Sequence, residues 1–241
     1  MSNHAQFDVP APPSSMSLIG TLGGIAMMSG LLVVLAFNVT LPRITKNKRE
    51  ALERAVFKVL PGATSRANFF LDADGITALP DEDLATANVF AGYDDNGKLV
   101  GMALEASARG YQDVVRILYG YAPDRECVIG ITVLRSTETP GLGDRIEKDP
   151  AFLANFDCLE ARLNDEGAAM RNEIVTVKNG EKTDPWQIDG ISGATVTSKA
   201  VGKALRESTN EMLPPLAKHW SEEASVHPPQ TLNPEPRTPN P

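Results

Sequence analysis

The residues best suited to chemistry lie in one short stretch, Asp189-Gly190-Ile191-Ser192-Gly193-Ala194-Thr195-Val196-Thr197-Ser198. Its small residues let the backbone come close to another group, and Ser192 or Thr195 can cap the helix that follows. Val196, Ala200, Val201, Ala204 and Leu205 give that helix an apolar stripe. A helix start offers unpaired N–H groups and a positive dipole end, a setting that favours a phosphate. Lys199 and Lys203 share one face and add positive potential there. The same stretch also reads as an ordinary capped helix that binds nothing, because serine and threonine cap many helices. Local sequence leaves both readings open.

The remaining composition removes other chemistries. The histidines are His4, His219 and His227, all near the ends, which argues against a Ser-His-Asp or Cys-His centre in the folded middle. A metal cluster or structural zinc site takes four Cys/His ligands, and Cys127 and Cys158 are the only cysteines. They are expected to be unrelated, buried, reduced thiols, with a disulfide as the alternative. No catalytic side chain and no metal site is expected, so redox chemistry would fall to a bound cofactor. A formal charge of −8 argues against a nucleic-acid partner. With 42% hydrophobic and 22% charged residues, the 241-residue chain suits one folded domain with extensions.

Organisation follows from pattern. Residues 1–17 read as a flexible segment with prolines at 10, 12 and 13. Residues 18–39 carry no charge, and at about 1.5 Å per residue they reach roughly 33 Å, enough for a transmembrane helix. A signal peptide fits less well, since no Lys or Arg precedes the run and no A-x-A-like site follows it. Gly20, Gly23, Gly24 and Gly30 offer surfaces for packing on other membrane helices, or are incidental in a greasy anchor. Residues 40–60 read as an amphipathic linker helix stopped by Pro61-Gly62. Strands are expected at Val89–Tyr93 and Leu99–Ala108 around an Asp94–Gly97 hairpin turn, then at Val114–Tyr121, Cys127–Leu134 and Glu173–Lys178. A Gly-rich loop and a short helix follow the fourth of these, and a last helix runs from about Val196 to Met212. The whole reads as an α+β domain over 61–213 with a mainly antiparallel sheet and flanking helices, then a Pro-rich disordered tail over 214–241.

The Asp189–Ser198 stretch closely resembles the flavinylation motif of the Rnf and Nqr respiratory complexes and related FMN-binding domains. Glu138-Thr139-Pro140-Gly141-Leu142-Gly143-Asp144-Arg145-Ile146-Glu147 resembles the loop that these domains place near the flavin, and Ala108-Arg109-Gly110-Tyr111 the segment before it. With the span, the basic helix and Pro61-Gly62, the resemblance covers most of residues 16–212. It points to the G subunits of Rnf ion-translocating oxidoreductase complexes, with the C subunit of the sodium-translocating NADH:quinone reductase as a near neighbour.

The resemblance implies a great deal. FMN is transferred from FAD to Thr195 by a flavin transferase and held as a phosphoester, so the threonine is an acceptor and not a catalytic nucleophile. Asp189, Ser192, Gly193 and Ala194 shape the loop that the transferase reads, with Lys199 adding positive potential. Thr139, Pro140, Gly141, Leu142 and Gly143 form a loop that sets backbone N–H groups against the flavin ring. The partners are other membrane and soluble subunits of an Rnf-type complex linking ferredoxin and NAD to ion movement across the bacterial inner membrane. The flavin domain is expected on the periplasmic side. Local charge points the other way, because Arg43, Lys46, Lys48, Arg49, Arg54 and Lys58 all follow the span. Three alternatives stand beside this reading: the quinone-reductase C subunit, an FMN-binding membrane sensor or regulatory module, and a non-catalytic envelope protein that packs a Thr-rich helix start and binds no flavin. Gly-Ala-Thr also occurs at 62–64, but proline replaces the serine, so Thr64 is read as part of a turn that carries no flavin.

Overall fold

The computed structural model describes residues 14–72, 74–84 and 86–226; the expectations for 1–13 and 227–241 lie outside them. Where a span and a separate linker were expected, one helix, α1 (Ser15–Val59), runs 45 residues without a break. It contains an apolar, fully exposed window long enough to cross a membrane. The chain divides into two compact units, Met1–Lys48 and Arg49–Pro241.

The second unit is built on a seven-stranded sheet of order β2-β1-β3-β4-β5-β6-β7, in which every neighbouring pair is antiparallel. Four strands match the alternating runs in the sequence: β3 (Val89–Tyr93), β4 (Leu99–Arg109), β5 (Val114–Ala122) and β6 (Cys127–Arg135). The first pair is closed by the expected turn, where the Asp94 carboxylate accepts from the Asn96 and Lys98 N–H groups. Strands β1 (Ser65–Leu71) and β2 (Ile76–Leu79) were not anticipated. The two-residue strand β7 (Leu159–Glu160) closes the far edge.

Both faces of the sheet are covered, which is why β3 is buried at every position. Val89, Ala91, Leu104, Ile117 and Tyr119 face the larger core beneath the last helix. Phe90, Ala103 and Leu118 face Val56, Val59 and Leu60 at the end of α1. That second contact depends on Gly120, where an added Cβ would stand 2.1 Å from the Val59 carbonyl oxygen. A parallel pair, β8 (Val175–Val177) and β9 (Gln187–Asp189), is the exception to the antiparallel rule.

Two expectations are corrected. The last helix, α3 (Thr195–Val226), continues through Pro214 and Pro215. Tertiary packing overrides the proline penalty: Leu213 and Leu216 are buried, and Trp220 meets Phe69 edge to face at 5.2 Å. The carbonyls left unpaired by the two prolines are four residues back, on exposed Asn210 and Glu211, where water can satisfy them. Residues 214–220 therefore belong to the folded unit. The second correction is the disulfide between Cys127 and Cys158. Pairing of β6 with β7 sets Val128 against Leu159 and brings the two Cα atoms to 5.2 Å.

Leu216→Ala should cost about 2–5 kcal/mol in denaturant unfolding, as for a core leucine; a cost near zero would return this segment to a tail. Replacing both cysteines with serine should cost about 3–4 kcal/mol through loop-closure entropy, read as a drop in urea midpoint against the oxidised wild type.

Candidate functional site

The loop from Asp189 to Ala194 has most of its backbone groups committed. Asn155, 5% exposed, accepts from the Asp189 N–H at 2.9 Å and donates to the Asp189 carbonyl at 3.2 Å. The Asp189 carboxylate accepts from the Gly180 N–H at 2.7 Å. The Gly190 N–H donates to the Val177 carbonyl, and its own carbonyl accepts from the Asn179 amide. The Ile191 N–H donates to the Ser198 hydroxyl at 3.1 Å, and that hydroxyl donates to the Ala194 carbonyl. A turn over 191–194 closes with the Ala194 N–H donating to the Ile191 carbonyl at 3.0 Å. Gly193 supplies the positive φ, +84°, that the turn needs at its third position.

Thr195 is the first residue of α3 and is exposed. Neither expected cap forms: among the described residues neither the Ser192 nor the Thr195 hydroxyl has a hydrogen-bond partner. Val196 also departs from the predicted stripe. It is 51% exposed, whereas Ala200, Val201, Ala204 and Leu205 are buried.

A cleft of about 540 Å³ opens beside Thr195, lined on one side by Gly193, Ala194, Thr195, Val196 and Thr197. Thr139, Leu142, Gly143 and Glu138 form the opposite side, and Tyr111 and Gln112 come from the turn between β4 and β5. At its base the buried Glu138 carboxylate accepts from the Thr197 hydroxyl at 2.5 Å and from the Gln112 N–H at 2.9 Å. Tyr111, Leu142 and Val196 leave large apolar surfaces exposed.

The cleft thus brings together Thr195, Gly193, Ala194, Thr139, Leu142 and Gly143 from the expected set. Pro140, Gly141, Asp189, Ser192 and Lys199 do not line it. The N–H groups of Gly141, Leu142 and Gly143 in the Gly-rich loop are also spoken for. Gly141 donates to the Asp144 carboxylate at 2.6 Å, while Leu142 and Gly143 both donate to the Thr139 carbonyl. The loop's larger contributions to the cleft are the Thr139 and Leu142 side chains. Glu138, Thr197 and Gln112 were missed as site residues, although the first two lie inside the motifs; their meeting depends on tertiary contact.

Asp189 and Ser192 line a separate recess of about 80 Å³ with Arg145, Asp149 and Asn179. Arg145 donates through Nη1 to the Ser192 carbonyl at 2.9 Å and through Nη2 to the Asp149 carboxylate at 2.6 Å. That hydrogen bond, helped by the Phe152 and Ala151 N–H groups, holds the Asp149 carboxyl below its usual range. Lys148 does the same for Asp144 from the next turn. The turn expected around the second Gly-Ala-Thr falls at Pro61-Gly62, closed by the Ala63 N–H on the Leu60 carbonyl; Thr64 lies past it and donates its N–H to the Tyr93 carbonyl of β3 at 2.7 Å.

The cleft has the size of a small-molecule site, with mixed apolar and polar walls, and it places a free hydroxyl at its rim. These features fit a flavin nucleotide held by its phosphate. The family described as "FMN-binding domain" matches residues 110–210. A solved structure of the C subunit of the Na(+)-translocating NADH-quinone reductase from Parabacteroides distasonis is 20% identical, with a TM-score of 0.55 over 73% of this chain and 96% of that one. The G subunit of an ion-translocating oxidoreductase complex from Methanosarcina acetivorans is 27% identical over 195 residues, 80% of this chain and 92% of that protein. Its counterpart from Cereibacter sphaeroides is 31% identical over 210 residues, 80% of this chain and 87% of that protein. With that identity over most of both chains, the protein belongs to the family of G subunits of ion-translocating oxidoreductase complexes.

Proposed function

We propose that this chain is the membrane-anchored electron-transfer subunit of a complex that couples ferredoxin/NAD electron transfer to ion translocation, with FMN esterified through its phosphate to Thr195. The observation that carries the reading is the Thr195 hydroxyl, exposed and without a partner among the described residues, at the first turn of α3 and on the rim of the cleft. In the maturation step a bond forms between Thr195 Oγ1 and the FMN phosphorus of FAD. The bond from that phosphorus to the AMP half breaks, AMP leaves, and the hydroxyl proton passes to a base in the transferase. A metal ion in the transferase supplies the electrophilic help.

Once bound, FMN supplies one- and two-electron redox chemistry. The protein's share is placement. Leu142, Val196 and Tyr111 offer apolar surface to a flat ring, and Glu138, Thr197 and Gln112 fix the floor of the cleft. The span contains no ionisable residue between 18 and 39, so the ion path falls to partner subunits. Gly143-Asp144-Arg145-Ile146-Glu147 after the Gly-rich loop favours an Rnf-type complex over a quinone reductase. We place the flavin domain on the periplasmic side of the inner membrane. The Cys127–Cys158 disulfide supports this, because such bonds persist in oxidising compartments; the basic residues after the span oppose it.

Co-expression with a flavin transferase should add about 438 Da to the peptide containing Thr195, the mass of an FMN phosphoester. Thr195→Ala should lose that mass and the in-gel fluorescence, and Thr64→Ala should keep both. A wild-type chain without flavin beside an active transferase would sink the proposal. For the topology, Cys158 should react with a membrane-impermeant maleimide in spheroplasts treated with an impermeant reductant. Labelling only after lysis would put the domain in the cytoplasm.

A further inference from the structure

We propose that Arg145 is a positioning residue for the flavin acceptor: its guanidinium fixes the orientation of the Ser192–Gly193 peptide in the turn that presents Thr195. The inference rests on the reading of Thr195 as that acceptor.

The turn over 191–194 has a positive φ at Gly193 and none at Ser192, which makes it type II. Types I and II share the closing hydrogen bond and differ by a flip of the central peptide, here Ser192–Gly193. Glycine at the third position favours type II but also tolerates type I. Arg145 reinforces the type II orientation by donating to the Ser192 carbonyl at 2.9 Å. The arginine is itself held: Nη2 donates to Asp149 at 2.6 Å, and the other oxygen of that carboxylate caps α2 (Pro150–Leu153) by accepting from the Ala151 and Phe152 N–H groups.

A planar trans peptide points its N–H opposite its C=O. With the Ser192 carbonyl turned toward Arg145 in the recess, the Gly193 N–H is turned away from it. Gly193, Ala194 and Thr195 line the cleft and not the recess, whereas Ser192 lines the recess and not the cleft. The flipped peptide would exchange a donor for an acceptor next to the place where a phosphodiester is to be built. Arg145 follows the Gly-rich loop directly and lies 47 residues from Ser192. It therefore also ties the two motif loops together. Its side chain is 41% exposed, so it can be removed without opening the core.

The test uses the full chain in detergent, with a purified flavin transferase, FAD and magnesium, and follows in-gel flavin fluorescence with time. Arg145→Ala should lower the initial rate about tenfold, the scale of one charge-assisted hydrogen bond, while its melting temperature stays at the wild-type value. Arg145→Lys should restore most of the rate. The phosphorus-31 resonance of the attached FMN should move in Arg145→Ala and return in Arg145→Lys. Asp149→Asn keeps the helix cap but loses the ion pair that steadies the guanidinium, and should fall between wild type and Arg145→Ala. A wild-type rate and an unmoved resonance in Arg145→Ala would overturn the inference. So would an equal loss in the alanine and lysine variants together with a lowered melting temperature, which would make Arg145 merely structural. A wild-type chain that takes no flavin on Thr195 overturns the parent reading, and that control is scored before any variant.

Discussion

The hydrogen bond from Thr197 to Glu138 joins residues 59 positions apart and sets the distance between the two walls of the cleft. Both ends are buried, 2% exposed for the threonine and 7% for the glutamate. A carboxylate in that position is costly unless donors meet it. The Thr197 hydroxyl and the Gln112 N–H are those donors, one from α3 and the other from the β4–β5 turn. The Thr-Val-Thr spacing gains a physical meaning from this. Two residues apart at about 100° each, side chains on a helix point to nearly opposite sides. When Thr197 turns inward to the carboxylate, Thr195 must turn outward. The inner threonine anchors the helix start and the outer one keeps its hydroxyl open.

What the sequence revealed follows the range of the forces involved. Strands β3 to β6 were legible because alternation and the Asp94–Gly97 turn are local signals, and the start of α3 was legible from its small residues and apolar stripe. The features that were not legible depend on residues far apart. Strand β2 has only four residues, and β1 puts its large apolar residues Phe69, Phe70 and Leu71 in a row, with no alternation. The disulfide depends on a two-residue strand that no periodicity can announce. The proline pair at 214 and 215 is a stop signal that the packing of Leu213, Leu216 and Trp220 overrides. At the site, the motifs located both walls of the cleft but not its contacts. Asn155 holds Asp189 from 34 residues away, and nothing in its neighbourhood marks it. The loop's own N–H bonds likewise became visible only once its turns were folded.

The opposing signals on membrane sidedness act at different stages. The basic residues after the span bias insertion, when the chain is still unfolded and each Lys or Arg counts separately. The folded unit later uses two of them: Arg49 pairs with Glu53, and Arg54 with Glu50. The disulfide belongs to the folded chain, where β6 and β7 have already brought the cysteines together. A charge bias can be outweighed by co-inserting partner helices, and the glycines at 20, 23, 24 and 30 offer them a surface. A covalent bond between cysteines has no such substitute for an oxidising compartment. Of the two signals, the disulfide is the one that favours the proposed outer placement.

The covalent attachment proposed for Thr195 would also answer a problem that the cleft's shape creates. Tyr111, Leu142 and Val196 are 69%, 52% and 51% exposed, so the apolar surface offered to a ring is open to water on one side. Drug-sized ligands held without a covalent bond usually bury most of their surface in a deeper pocket. A shallow cleft of this kind would release a free cofactor readily. A tether at its rim turns each rebinding into an intramolecular event at an effective concentration set by the tether's length, in the millimolar range for short flexible links. The site can then stay open enough for electrons to reach a partner without losing its cofactor. An enclosed pocket would hold free FMN more tightly and keep other redox centres at a distance. On that proposal the open cleft and the exposed threonine form a single solution, in which one bond would retain the cofactor and the walls would be left to orient the ring.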